Sequence, residues 1–131
     1  MPTEANKAIV RRHAKALNDH DLAALDEIWD PELVWHGKLK GLEPMKKLIA
    51  ESFRAFPDFR ATIDDEIAEG DRVVLRFTVY GTHEGEFRGI SPTGRQVTWT
   101  GVNIYRLEGG KMVERWVCED GLSLMEQLRA R

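Results

Sequence analysis

Residues 97–120 read Val-Thr-Trp-Thr-Gly-Val-Asn-Ile-Tyr-Arg-Leu-Glu-Gly-Gly-Lys-Met-Val-Glu-Arg-Trp-Val-Cys-Glu-Asp. Gly109-Gly110 between two alternating runs is a two-residue hairpin signal. Pairing outward from that turn predicts Leu107 opposite Met112, Tyr105 opposite Glu114, Asn103 opposite Trp116, Gly101 opposite Cys118 and Trp99 opposite Asp120. Side chains alternate along a strand, so these ten are expected on one face. That face carries large rings, an amide and carboxylates, the mixture expected of a pocket lining. Thr98, Thr100, Val102, Ile104, Arg106, Val113, Arg115, Val117 and Glu119 are expected on the other, an ordinary half-exposed sheet surface.

The rest of the chain supplies partners for this hairpin. Residues 4–18 have Ala5, Ala8, Ile9, Ala16 and Leu17 among charges, which predicts an amphipathic helix. Asp21 is a good N-cap for a short helix bearing Leu22, Leu25, Ile28 and Trp29, which Asp30-Pro31 should end. Glu32 to Gly37 is a short strand candidate. Pro44 suits the first turn of a third helix, where Met45, Leu48, Ile49, Ser52, Phe53 and Phe56 keep helical spacing up to Pro57. Strands are predicted over 58–68 and 72–83, with Val73, Leu75, Phe77, Val79, Gly81 and His83 sharing a face. A glycine-rich connection over 84–94 reads as a mobile loop at a pocket mouth. Ser123-Leu124-Met125-Glu126 has the capping-box pattern of a terminal helix. Three early helices and long antiparallel strands argue an α+β fold, helices on one face of a strongly curved sheet, in a single domain spanning 1–131.

Composition narrows the function classes. A net charge of −3 argues against a nucleic-acid binder, which is usually basic. No apolar run approaches the ~20 residues of a membrane span. The first residues lack the basic-then-apolar order of a signal peptide. The single cysteine, Cys118, excludes an internal disulfide and fits a reducing cytoplasm, and one thiol is too few for a structural zinc site. The four tryptophans suggest a large aromatic interior or a roomy apolar cavity.

Short motifs along the chain then carry a resemblance. They are Trp35-His36-Gly37 with Gly41, Phe56-Pro57-Asp58, Glu69-Gly70-Asp71-Arg72-Val73, Gly81-Thr82-His83-Glu84-Gly85-Glu86-Phe87, Pro92-Thr93-Gly94-Arg95 and Gly110-Lys111-Met112-Val113-Glu114-Arg115-Trp116, then Asp120 and Gln127-Leu128. In this order the chain resembles the SnoaL-like polyketide cyclases, or ester cyclase group, of the nuclear-transport-factor-like cone fold. The resemblance implies a sheet and helices enclosing a hydrophobic pocket, no cofactor, and a homodimer. It also implies aldol-type ring closure driven by one aspartate near the end of the last strand, a place that Asp120 occupies. The fold supports many functions, so the activity has to be argued from the site.

Two readings stand for Asp120. Beside Trp99 and Trp116 it would lose solvation and become useful for moving protons; alternatively it caps the helix starting near Leu122. His36 is the second catalytic candidate, polarising a carbonyl or titrating near neutrality. Trp35, His83, Trp99, Asn103, Tyr105, Glu114 and Trp116 are expected to line a site for a hydrophobic small molecule; core packing is the competing explanation, favoured for His83. No metal-ligand spacing joins His36, His83, Glu114 and Asp120. A cofactor-free enzyme of hydrophobic carbonyl compounds is therefore the leading expectation, with a non-catalytic ligand-binding module as its rival. An epoxide hydrolase ranks lower, because residues 97–107 lack the Arg-x-Asp pair such chemistry uses.

Overall fold

The computed structural model describes residues 2–35 and 39–130, without the side chains of Pro2 and Leu39. Helix α1 spans Pro2–Asn18; a 3₁₀ turn, Leu22–Ala24, leads into α2, Leu25–Ile28; α3 spans Leu42–Ala55 and α4 Gly121–Arg129. Six strands, β1 (Trp29–Trp35), β2 (Leu39–Lys40), β3 (Arg60–Glu69), β4 (Arg72–Thr82), β5 (Gln96–Glu108) and β6 (Lys111–Glu119), form one sheet in the order β2-β1-β6-β5-β4-β3. All neighbours are antiparallel except β1 and β6, which run parallel. The expected α+β layout with helices on one sheet face is thus the one observed.

Local chemistry accounts for the boundaries. Asp21 accepts a hydrogen bond from Ala24 N at 3.2 Å and starts the 3₁₀ turn. The strand after α2 begins earlier than expected, at Trp29, and takes Asp30-Pro31 into β1 rather than using it as a stop. Asp120, not Ser123, is the N-cap of α4, its Oδ1 accepting from Ser123 N at 3.0 Å. On β4, Val73, Leu75, Phe77, Val79 and Gly81 alternate inward as their spacing predicts. The residues buried beneath the helices include Trp29, Leu33, Phe56, Tyr105 and Met112.

The hairpin turn is as expected, but the face assignment of β6 is not. Gly109 and Gly110 both take positive φ, 59° and 81°, the geometry that lets a two-residue loop follow the strand twist. Leu107 pairs with Met112, yet Arg106 pairs with Glu114, so Val113 is an extra residue on β6. A bulge of one residue turns every later side chain to the opposite face. The pairs are then Tyr105 with Arg115, Asn103 with Val117 and Gly101 with Glu119. Arg115, Val117 and Glu119 join the concave face; Glu114, Trp116 and Cys118 leave it. The outer face gains by the exchange, since Arg106 Nε meets Glu114 Oε1 at 2.7 Å and the Arg72 guanidinium lies 5.1 Å from the Trp116 ring centre.

Candidate functional site

Between the concave sheet face and α1, α3 and α4 lies a cavity of about 1200 Å³. Its walls are apolar: Leu17 of α1, Met45 and Ile49 of α3, Leu75, Phe77 and Val79 of β4, Trp99 of β5 and Val117 of β6. Gly101 lets the Phe77 and Glu119 side chains of this wall lie directly against β5. A Cβ there would stand 2.5 Å from Phe77 Cζ and 2.9 Å from Glu119 Cγ, closer than any real contact. Gly85 has the same role in the loop over residues 84–94. That loop crosses the end of α3 so tightly that a Cβ would stand 2.3 Å from the Arg54 carbonyl oxygen, while Glu84 N and Gly85 N donate to Ala55 O at 3.0 and 3.1 Å. Gly85 to Gly89 consequently border the cavity, the position expected of a loop at its mouth.

Burial divides the cavity into a floor and a rim. On the floor His13 is 1% exposed, Tyr105 2% and Asn103 6%. The Trp29 indole N–H donates to His13 Nδ1 at 3.1 Å, which leaves the imidazole proton on Nε2. Burial, with the Arg115 charge adding to it, pushes His13 down from 6.5 to about 3, so the ring is neutral. Asn103 Nδ2 donates to the Tyr105 hydroxyl at 2.9 Å. Burial pushes the Tyr105 phenol up from its ordinary value and keeps it protonated. Arg115 reaches the same floor from β6, its guanidinium 5.8 Å from the centre of the Trp29 ring. His13 Nε2, Asn103 Oδ1 and Arg115 Nε are buried, and none has a hydrogen-bond partner among the described residues.

At the rim stand exposed Glu86, Arg88 and Glu119. Trp99 Nε1 donates to Glu119 Oε1 at 3.4 Å, so the carboxylate beside Trp99 is Glu119 rather than the expected Asp120. Asp120 is exposed, bonded through its backbone N to Thr100 O at 2.9 Å and through its carboxylate to Ser123 N. It is not on the cavity wall, although both its neighbours, Glu119 and Gly121, are.

Of the other sequence-chosen residues, Trp35, Trp99, Asn103 and Tyr105 line the cavity. Glu114 and Trp116 do not, because the Val113 bulge turns them outward. His83 is fully buried but away from the cavity wall: its Nδ1 accepts from Thr93 N at 3.1 Å, and its ring packs 5.8 Å from that of Phe56. Its contacts are those of a residue anchoring the loop over 84–94. His36 lies outside the described residues. His13, Arg115 and Glu119 were missed. His13 falls at helical spacing with Ile9, Val10, Ala16 and Leu17, a signal present in the sequence; the other two were assigned to the wrong face by an unbroken strand parity. Among the described residues no three His, Cys, Asp or Glu side chains gather as a metal site.

Comparison with known proteins agrees with this architecture. The family model of SnoaL-like polyketide cyclases matches residues 7–128. Among solved structures the chain is similar to AclR, a proposed hydroxylase from Streptomyces galilaeus, at 35% identity and a TM-score of 0.89, covering 96% of this chain and 82% of that one. It is similar to IdmH, a proposed polyketide cyclase from Streptomyces antibioticus, at 30% identity and a TM-score of 0.86, covering 94% and 97%. TsrD from Streptomyces laurentii is 28% identical with a TM-score of 0.89, covering 98% and 97%. No curated relative matches at a significant level.

Proposed function

The chain belongs to the SnoaL-like polyketide cyclase family, and from that premise we propose that it is a cofactor-free enzyme which enolises a hydrophobic carbonyl compound and closes a ring within it. The observation that carries this reading is the cavity itself: apolar walls, a buried polar floor and carboxylates confined to the rim. Such a site desolvates a polycyclic carbonyl substrate and presents few polar groups to orient it. A rim carboxylate takes a proton from the carbon next to a carbonyl. The resulting enolate carbon attacks a second carbonyl of the same molecule, a carbon–carbon bond forms, and the new alkoxide recovers the proton from the carboxylic acid.

Asp120 is the acid/base that the family resemblance assigns, and it stands between two cavity-lining residues. Glu119, on the wall beside Trp99, is the competing base. His36 retains its proposed part in polarising a carbonyl. The test is deuterium wash-in at the α carbon of polycyclic aryl ketones and β-keto esters that bind the protein, followed by NMR in heavy water. The expected result is exchange above the buffer rate, lost in Asp120→Asn and kept in Glu119→Gln. Loss only in Glu119→Gln transfers the role to Glu119. Ligands that bind with no added exchange contradict the enzymatic reading and leave a binding module.

A second reading rests on the 35% identity to AclR, a proposed hydroxylase. The same enolate would be captured by dioxygen, and a two-electron donor would reduce the peroxide to alcohol and water. Oxygen uptake dependent on a reductant distinguishes it from ring closure. The homodimer implied by the family is carried here as a proposal, checked by light scattering.

A further inference from the structure

Arg88 stands in a backbone conformation that its side chain does not favour. Phe87 N donates to Ile90 O at 3.0 Å and Ile90 N to Phe87 O at 2.9 Å, which closes a two-residue turn over Arg88 and Gly89. Both take positive φ, 48° and 80°. That is the φ pattern of a type I′ turn, whose first central position suits Asn, Asp or Gly. An arginine there is strained, and strain of this kind persists where the surrounding structure holds it, above all at functional sites.

The strained turn sets an exposed cation at the mouth of the cavity, which both Phe87 and Arg88 border. The Phe87 ring packs edge-on against Phe56, 5.2 Å between centroids, and Arg88 Cζ lies 4.8 Å from the Phe87 ring centre. A guanidinium held over a ring by its charge still has N–H donors to offer. On its other side Arg88 Nη1 reaches Gly121, 3.4 Å from where a Cβ would stand on that glycine. Glu119 and Asp120, the two candidate bases, are the residues immediately before Gly121. Among the described residues no carboxylate forms a salt bridge with Arg88. Two other arginines border the cavity. Arg54 is in the last turn of α3, where a cation suits the helix dipole. Arg115 precedes Glu119 by four residues on β6, about 13 Å along a strand. Of the three, Arg88 is the one whose contact with Gly121 brings it beside both bases.

We propose that Arg88 is a catalytic residue for enolisation: its guanidinium donates to the carbonyl oxygen of the substrate and stabilises the negative charge that forms there. This rests on the enolising function proposed above. In that step the C–H bond next to the carbonyl breaks and its proton passes to the carboxylate of Asp120 or Glu119. The C–H electron pair becomes the C=C bond, and the carbonyl π pair moves onto oxygen. Charge leaves the carboxylate and arrives on an oxygen two bonds from the carbon that lost the proton. The total charge at the mouth is unchanged; only its position moves. A permanent cation near both places, paired with neither carboxylate, favours the arrival without holding the base in its charged form.

The test follows deuterium exchange at the α carbon of 2-tetralone, a bicyclic apolar ketone, by NMR in heavy water, over a range of ketone concentrations. The wild type is expected to exceed the buffer rate. Arg88→Gln should slow exchange at saturating ketone about tenfold or more, with the half-saturating concentration within about threefold of the wild type, because the contact strengthens only as charge develops. Arg88→Lys should fall between the two. Arg88→Asn places the residue that such a turn prefers; it should melt at the wild-type temperature or higher and still lose exchange as Arg88→Gln does. Exchange in Arg88→Gln equal to the wild type overturns the role of Arg88 and leaves enolisation standing. A lowered melting temperature in Arg88→Asn, with exchange lost in proportion to unfolding, assigns Arg88 to structure and also overturns it. A wild type that binds 2-tetralone without added exchange overturns the enolising reading, and this inference with it.

Discussion

His13 stands where helix spacing, burial and charge meet. Its neighbours are the Trp29 and Tyr105 rings, at 5.3 and 5.5 Å between centroids, and the Arg115 cation, all of which disfavour a second proton. Its folded value of about 3 lies below the ordinary 6.5, so the unfolded chain takes up the proton first as pH falls. The stability this contributes is complete above about pH 6.5 and is lost on acidification toward pH 3. Between about pH 7 and pH 5 the loss is about 2 kcal/mol. Urea titrations at the two pH values should show it in the wild type, and His13→Phe should remove this part of the pH dependence. An identical slope in the variant would mean that another group carries it. Asp120 permits a comparison of a different kind. Asn caps a helix as well as Asp, so Asp120→Asn should hold its stability, whereas Asp120→Ala should cost about 1 kcal/mol in the same titration. The Asn variant therefore separates the proposed proton transfer from the cap.

At the scale of elements, what could be read from the sequence depended on how local its cause was. The Gly109-Gly110 turn and the inward alternation of β4 each follow from a few adjacent residues, and each is present; of the apolar positions expected along α3, Met45 is buried, Leu48 is exposed and Phe56 falls just past the helix end. On β5 the buried residues Val97, Trp99, Gly101, Asn103, Tyr105 and Leu107 keep the expected alternation, so half of the candidate site was legible. The Val113 bulge was not. No glycine or proline marks it. It accompanies the outer Arg106–Glu114 ion pair within the hairpin and contacts with distant segments, Arg72 over Trp116 and the parallel docking of β1, where Val34 aligns with Glu114 and Trp35 with Arg115. One unmarked residue thus exchanged the two faces of β6 and replaced Glu114, Trp116 and Asp120 by Arg115, Val117 and Glu119 around the cavity. The start of α4 shows the same limit on a smaller scale: two overlapping capping patterns, at Asp120 and Ser123, are equally readable, and the bonded geometry selects the first.

For the molecule as a whole, the account depends on that exchange of faces, since it decides which side chains enclose the cavity and which face outward. A cone of this kind places its polar residues by strand parity, so one bulge redirects the chemistry of the site without altering the fold. The single cysteine reports which way β6 faces. In the expected register Cys118 would lie against Gly101 on the concave side; in the observed one it is exposed on the outer side, opposite Val102. The direct measurement is the rate at which a thiol reagent labels Cys118 in the native protein, followed over a dilution series so that self-association does not mask it, and compared with the urea-unfolded chain. Labelling of the dilute native protein within about tenfold of the unfolded rate is the predicted result, as expected for a thiol in solvent. Labelling that occurs only as the protein unfolds would place Cys118 inside and contradict the bulged register, and with it the assignment of Arg115, Val117 and Glu119 to the cavity.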